Sequence, residues 1–449
     1  VNGAGPLSYS AAGLGDNEYT LVSASGTGSL VDLSGLTSLD DSHAQGSGTR
    51  PHFITAVNDG AVNLSSLTTL VMPANAEDRL KFTATGGGTL NLSSLATIPG
   101  AGGYTWFDVQ GGSAVSLPAL TTAEDVLFQT LSGGQILVNG PAPLSISAVG
   151  LAFDEFTPVL ASGAGSLVDL SALTTLDDSH AQGGGTRTHF ITAVNDGVVN
   201  LPNLTTLVMP VNAEDRLKFT ATGGGTLDLS SLATIPGAGG YTWFDVQGGS
   251  VVSLPALTTA EDVLFQTLSG GKILVNGPGA LSYSAVGLQF EEFTPFLASG
   301  AGSLVDLSAL TTYDDSHAQG SGKRTHFITA MNDGVVDLSS LTTLVMPVNQ
   351  EDRVKFTATG GGTFDLSSLA TIPGAGGYTW FDVQSGSAVS LPALTTAEDV
   401  LFQTLSGGQI LANGPGALSY SCLLYTSDAA DDDYTVLVWV GGGGWGGGG

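Results

Sequence analysis

The chain repeats itself, and the repeat limits what it can fold into. "GSLVDLSGLTSLDDSHAQGSGTR" begins at Gly28, "GSLVDLSALTTLDDSHAQGGGTR" at Gly165 and "GSLVDLSALTTYDDSHAQGSGKR" at Gly302. The period is 137 residues both times. Units therefore run 1–137, 138–274 and 275–411, and a partial fourth covers 412–421. Each unit holds a shorter, degenerate repeat. In the first unit it starts at Gly28, Gly60, Gly88, Gly112 and Gly134, as in "GAVNLSSLTTL" and "GTLNLSSLATI". The common form is Gly-x-apolar-polar-Leu-Ser/Pro-x-Leu-Thr-x-apolar. Before each copy comes a second apolar run, such as "THFITAV", "RLKFTAT", "YTWFDVQ" or "DVLFQTL".

These runs are short, alternating, and rich in β-branched and aromatic residues, which is strand behaviour. Glycine pairs and Leu-Ser/Pro corners punctuate them. No window carries a capped helical period. One short repeat thus reads as one coil of about three strands and three corners. A single coil cannot bury its apolar face, so successive coils must stack. The expected fold is all-β: a parallel β-helix, or β-solenoid, of about 15 coils, five per unit. At ~4.8 Å per rung the rod would be roughly 70–75 Å long. A leucine-rich-repeat horseshoe is the rival. Segment spacings up to 32 residues and the missing Leu-x-x-Leu-x-Leu-x-x-Asn signature count against it.

Residues 422–449 break the pattern. The third unit has Ala285 after "LSYS", but one period later Cys422 stands there, the only cysteine in the chain. "CLLYTSDAAD" is what TGT CTC TTA TAC ACA TCT GAC GCT GCC GAC encodes, which resembles a transposase-type sequencing adapter. The glycine-rich end then fits poly-G read-through. The tail is therefore expected to be non-native, with 1–421 a single solenoid and the whole a fragment of a longer protein. A natural glycine-rich linker is the plainer alternative.

The chain carries a formal charge of −29, with 11 basic residues against 40 acidic ones. Such a field disfavours nucleic acid and anionic membranes. No apolar run reaches the length of a membrane span. Outside the tail there is no thiol for a disulfide or a zinc site.

Three polar words invite chemistry. "DDSHAQG" supplies Asp40, Asp41 and His43, then Asp177, Asp178 and His180, then Asp314, Asp315 and His317. A second histidine follows at His52, His189 and His326. Carboxylates beside histidine suit a weak metal site or acid–base work. The plainer reading is a solvated excursion from the longest coil, and it is favoured. "YTWFDVQ" is the better binding candidate. If Thr105, Phe107 and Val109 point inward, then Tyr104, Trp106 and Asp108 point out. The copies are Tyr241, Trp243 and Asp245, and Tyr378, Trp380 and Asp382. Outward aromatics beside a carboxylate can stack on sugars, and platforms every ~24 Å along one side would give avidity. The opposite alternation would bury the indole, as is usual for tryptophan. "AEDRLKF" around Glu77 reads as an exposed charge network, and "TAEDV" around Glu124 as an acidic corner. Such corners admit weak calcium binding, and no cofactor is expected. No phosphate-binding glycine fingerprint, nucleophile elbow or basic aromatic stripe is present.

The cadence of these coils resembles that of bacterial secreted or cell-surface β-helical adhesins and autotransporter-passenger-like proteins. The resemblance covers 1–421 and rests on architecture, so it transfers no site residues. It implies a structural or adhesive extracellular rod, for display or matrix contact, with extracellular polysaccharide or a cell-surface glycan as partner. The alternative is a polysaccharide-degrading β-helix enzyme, a lyase or a glycoside hydrolase.

Overall fold

A computed structural model describes residues 6–14, 18–42, 49–151, 153–179, 186–288, 290–316 and 323–421. Every strand pairing in it is parallel, and among the described residues there is no helix. The chain is a spiral of short strands: a parallel β-solenoid. One coil shows how it is made. Tyr104–Gln110 forms the long strand, Ala114–Ser116 a short second one and Thr122–Glu124 the third; Val126–Leu131 then starts the next rung.

The long strands stack into a first face of 15 strands and the short ones into a second face of 15. The third face is interrupted. It comprises separate sheets of 3, 5, 5 and 3 strands, because Thr69–Val71 and its copies do not continue the ladder to Thr97–Ile98 and its copies. The expected closed coil is therefore observed, and the horseshoe is not.

The motif letters each have a physical job. In "VNLSSLTTL", Val62, Leu64, Leu67 and Leu70 all enter the interior. The polar residue before the first leucine caps the corner: Asn63 Oδ1 accepts the Ser65 N–H at 3.2 Å, and Asp169 Oδ1 accepts that of Ser171 at 3.0 Å. Asx turns of this kind satisfy a backbone donor that a corner would otherwise strand. Leu67 N–H then bonds Leu64 O at 3.0 Å and closes the bend. The glycine that opens the motif is needed for room. A Cβ at Gly88 would lie 1.9 Å from Ala56 O on the rung below, and one at Gly134 would lie 2.0 Å from Val109 O.

Inside, identical positions of successive rungs form columns. Phe107 is in register with Phe82 below and Phe128 above, and the rings stack with centroids 5.0 and 5.4 Å apart. The second unit repeats this with Phe219, Phe244 and Phe265, and the third with Phe356, Phe381 and Phe402. Coils thus share one continuous core rather than private ones.

Candidate functional site

Of the two orientations open to the tryptophan strand, the structure has the one with the indole outward. Thr105, Phe107 and Val109 are fully buried, and Trp106 lies on the outer side. The outer side is nevertheless furnished. Lys81, in register one rung below, sets its Nζ 3.6 Å from the centre of the Trp106 ring and 2.7 Å from Asp108 Oδ2. Arg79 lies 5.4 Å from the same ring and donates to Tyr104 Oη at 3.1 Å. Asp108 is only 5% exposed, and Gln110 Nε2 donates to its other oxygen at 2.6 Å. Phe153 and Phe156 meet Tyr104 edge-on and form a small apolar cluster outside the sheet.

Trp243 with Lys218 and Asp245, and Trp380 with Lys355 and Asp382, repeat the lysine contact. Tyr241 is covered like Tyr104, by Phe290 and Phe293, whereas Tyr378 is half-buried. Each indole is therefore engaged by a cation from its own rod. A sugar would have to displace that lysine to stack on the covered ring face. The bare platform expected from alternation is thus a cation–π and ion-pair cluster that binds coil to coil.

The two acids of "DDSH" part company. Asp40, Asp177 and Asp314 face outward, and each accepts the N–H of the serine two residues on, at 3.0, 3.0 and 2.9 Å. Hydrogen bonds from the Ser42 side chain and backbone hold the Asp40 carboxyl below the usual carboxylate range. Asp41, Asp178 and Asp315 turn inward and are fully or almost fully buried. Their Oδ1 atoms meet Nδ1 of His52, His189 and His326 at 2.5 Å. His43, His180 and His317 lie outside the described residues. The expected cluster thus divides: one carboxylate caps a turn, and the other pairs with the second histidine. Among the described residues no three acidic, histidine or cysteine side chains converge as metal ligands would. The partner that matters is the second histidine. Its even spacing from the inward aspartate in all three units was the available signal.

The "AEDRLKF" network is also less exposed than expected. Asp78, Asp215 and Asp352 are fully buried and accept the N–H of Arg50, Arg187 and Arg324 at 2.9, 2.8 and 2.8 Å. A buried aspartate suits this task, because it satisfies a backbone donor that would otherwise be stranded.

The acidic corner borders a groove. Glu124, Asp125, Ser147, Gly150, Asp177 and Ser179 line a groove of about 490 Å³ on the third face. Glu261, Asp262, Ser284 and Gly287 line its copy of about 420 Å³. Asp125 takes left-handed backbone (φ 51°), is 3% exposed, and accepts the Gly150 N–H at 3.0 Å. A Cβ at Gly150 would fall 2.1 Å from its Oδ2, so glycine keeps the carboxyl seated. Burial, reinforced by the charge of Glu124, raises the Asp125 carboxyl to about 6; Asp262 rises to about 6 for the same reasons. Sequence reading saw Glu124 here and passed over Asp125, because burial at a corner leaves no mark on spacing.

No protein family, curated protein or solved structure matches this chain.

Proposed function

We propose that the chain is a rigid extracellular rod, on or near a bacterial cell surface, that serves display or matrix contact. The continuous stacking of 15 rungs about one core supports this reading. A shaft of this kind holds surface groups at fixed intervals, which is what adhesin-like and passenger-like coils do. The engaged tryptophans fit a mechanical role, since they cross-brace neighbouring rungs. The test is direct. Beads coated with the purified protein should be retained on a film of bacterial extracellular polysaccharide more than albumin-coated beads. Equal retention would reject matrix contact.

A second reading, a polysaccharide-cleaving enzyme, draws on one observation. The Asp125 carboxyl, raised to about 6, lies beside Glu124 in an open groove. A carboxylic acid that keeps its proton near neutrality can act as a general acid. Turnover of acidic or neutral polysaccharide that disappears in Asp125→Asn plus Asp262→Asn would favour the enzyme over the rod.

A further inference from the structure

One outward column of the third face carries a hydroxyl on every rung. Thr97, Thr122, Ser145, Thr175 and Thr206 stand in register on five successive rungs of the third face. Thr234, Thr259, Ser282, Thr312 and Thr343 repeat the series. A column of the second face shows the contrast: rungs of the first unit carry Leu30, Ala61, Thr89, Ala114 and Gln135 at one position. Coils that differ elsewhere all keep a hydroxyl here.

The preceding threonines are used internally. Thr68, Thr121 and Thr205 donate to the carbonyls of Thr37, Ala96 and Thr174 one rung below, at 3.2, 3.1 and 3.4 Å. The hydroxyls of Thr97, Thr122, Ser145, Thr175 and Thr206 make no hydrogen bond among the described residues, and all are exposed or half-exposed. They form a row of unengaged donor–acceptors at ~4.8 Å spacing on a stiff sheet.

The acidic groove opens beside this row. Asp125 is 3% exposed; its Oδ1 holds the Gly150 N–H, while Oδ2 makes no hydrogen bond among the described residues and belongs to the groove wall. Asp177 and Glu124 flank it and bring further acceptors. Hydroxyls in a row, with carboxylate acceptors alongside, complement a chain rich in vicinal hydroxyls. The charge of −29 opposes an anionic one.

We propose that an uncharged polysaccharide lies lengthwise on the third face, hydrogen-bonded rung by rung to the serine and threonine hydroxyls and seated in the Asp125 and Asp262 grooves. The inference rests on the matrix-contact reading and places the contact away from the tryptophans.

Electrophoresis in native gels containing hydroxyethylcellulose or galactomannan tests it, with alginate as the anionic counterpart. The protein is expected to be retarded by at least one uncharged polymer and not by alginate. Thr122→Val, Thr175→Val and Thr259→Val together keep side-chain shape and remove three hydroxyls. They should weaken retardation about a hundredfold in dissociation constant, since each of the three hydrogen bonds contributes on the order of 1 kcal/mol. Glu124→Gln with Asp177→Asn, both outward-facing, is the second variant and should weaken it too. Trp243→Ala should leave it unchanged. Absence of retardation by either uncharged polymer overturns the inference, while bead retention still decides the rod reading. Retardation by alginate, or retardation lost in Trp243→Ala and kept in both groove variants, overturns it as well.

Discussion

Single side chains report how well the three copies have been tuned. Tyr313 occupies the place of Leu39 and Leu176 and stacks on Tyr283 with centroids 5.3 Å apart. Tyr283 Oη donates to Val263 O at 2.6 Å, whereas Tyr313 Oη is buried without a partner among the described residues. Burial accordingly pushes both phenols well above their ordinary range. A buried hydroxyl without a partner costs about 1–3 kcal/mol. Tyr313→Phe should therefore stabilise the rod by about 1–2 kcal/mol in urea unfolding, and Tyr283→Phe should destabilise it by about 1 kcal/mol. Pro51 is a similar lapse. Arg216 and Arg353 donate through Nε to Thr188 and Thr325 at 2.6 and 2.8 Å, but Pro51 gives Arg79 no hydroxyl, and Arg79 Nε has no partner among the described residues. Pro51→Thr should add about 1 kcal/mol, read by the same unfolding curves.

Asp262 sets a pH dependence. Its carboxyl titrates at about 6 in the fold and at roughly 4 unfolded. The fold thus prefers the protonated form. This stabilisation is complete below pH ~4, fades as pH rises to about 6, and is absent above. Asp262→Asn keeps an acceptor for the Gly287 N–H, which bonds Asp262 Oδ1 at 3.1 Å, and tolerates left-handed backbone. It should remove its share of that slope, leaving the share of Asp125, which titrates in the same window, and stabilise the protein by about 1–2 kcal/mol at pH 7. A variant as pH-sensitive as the parent between 4 and 6 would contradict the assignment. None of this was legible in the sequence, because partnering and burial at a corner depend on which rung lies above.

At the level of the strand and corner, the sequence was far more readable. Alternation in "YTWFDVQ" set Phe107 and Trp106 on opposite sides but left open which side is inward, and the structure buries Phe107. Alternation cannot say what covers an outward ring. Lys81 reaches Trp106 because the parallel register puts them side by side, and register between segments 25 residues apart is not a local signal. The Leu-Ser corner likewise announced a turn, while its Asx cap emerged from geometry. Those caps stack. Asp306, Asp337 and Asp365 are adjacent in one ladder, where the first unit has Asp32, Asn63 and Asn91. Like charges directly opposed on a sheet are destabilising. Asp337→Asn retains the cap that Asp337 Oδ1 gives the Ser339 N–H. It should raise the melting temperature at low ionic strength, and the gain should shrink as salt screens the neighbours.

For the whole molecule, periodicity was nearly sufficient. A 137-residue unit with five glycine-led segments left a stack of coils as the economical way to bury its leucines, and both long faces indeed hold 15 strands. What periodicity could not supply was the interruption of the third face between Thr69–Val71 and Thr97–Ile98 and at their copies. The tail expected to be foreign, 422–449, lies outside the described residues. Because each rung contacts only its neighbours, whole units should be removable. Deleting 138–274 joins Leu137 to Val275, reproducing the Leu274–Val275 junction. Small-angle scattering should then show a folded rod shorter by ~24 Å; an expanded or aggregated product would contradict the shared-core stack. The inward aspartate–histidine ties carry a practical corollary. Asp178 and His189 fasten both ends of the segment between them to the shaft, as do the equivalent residues of the other units. Foreign peptides grafted at these three sites would hang from closed hinges and leave the coil beneath unaware of their length, like hooks on a rail.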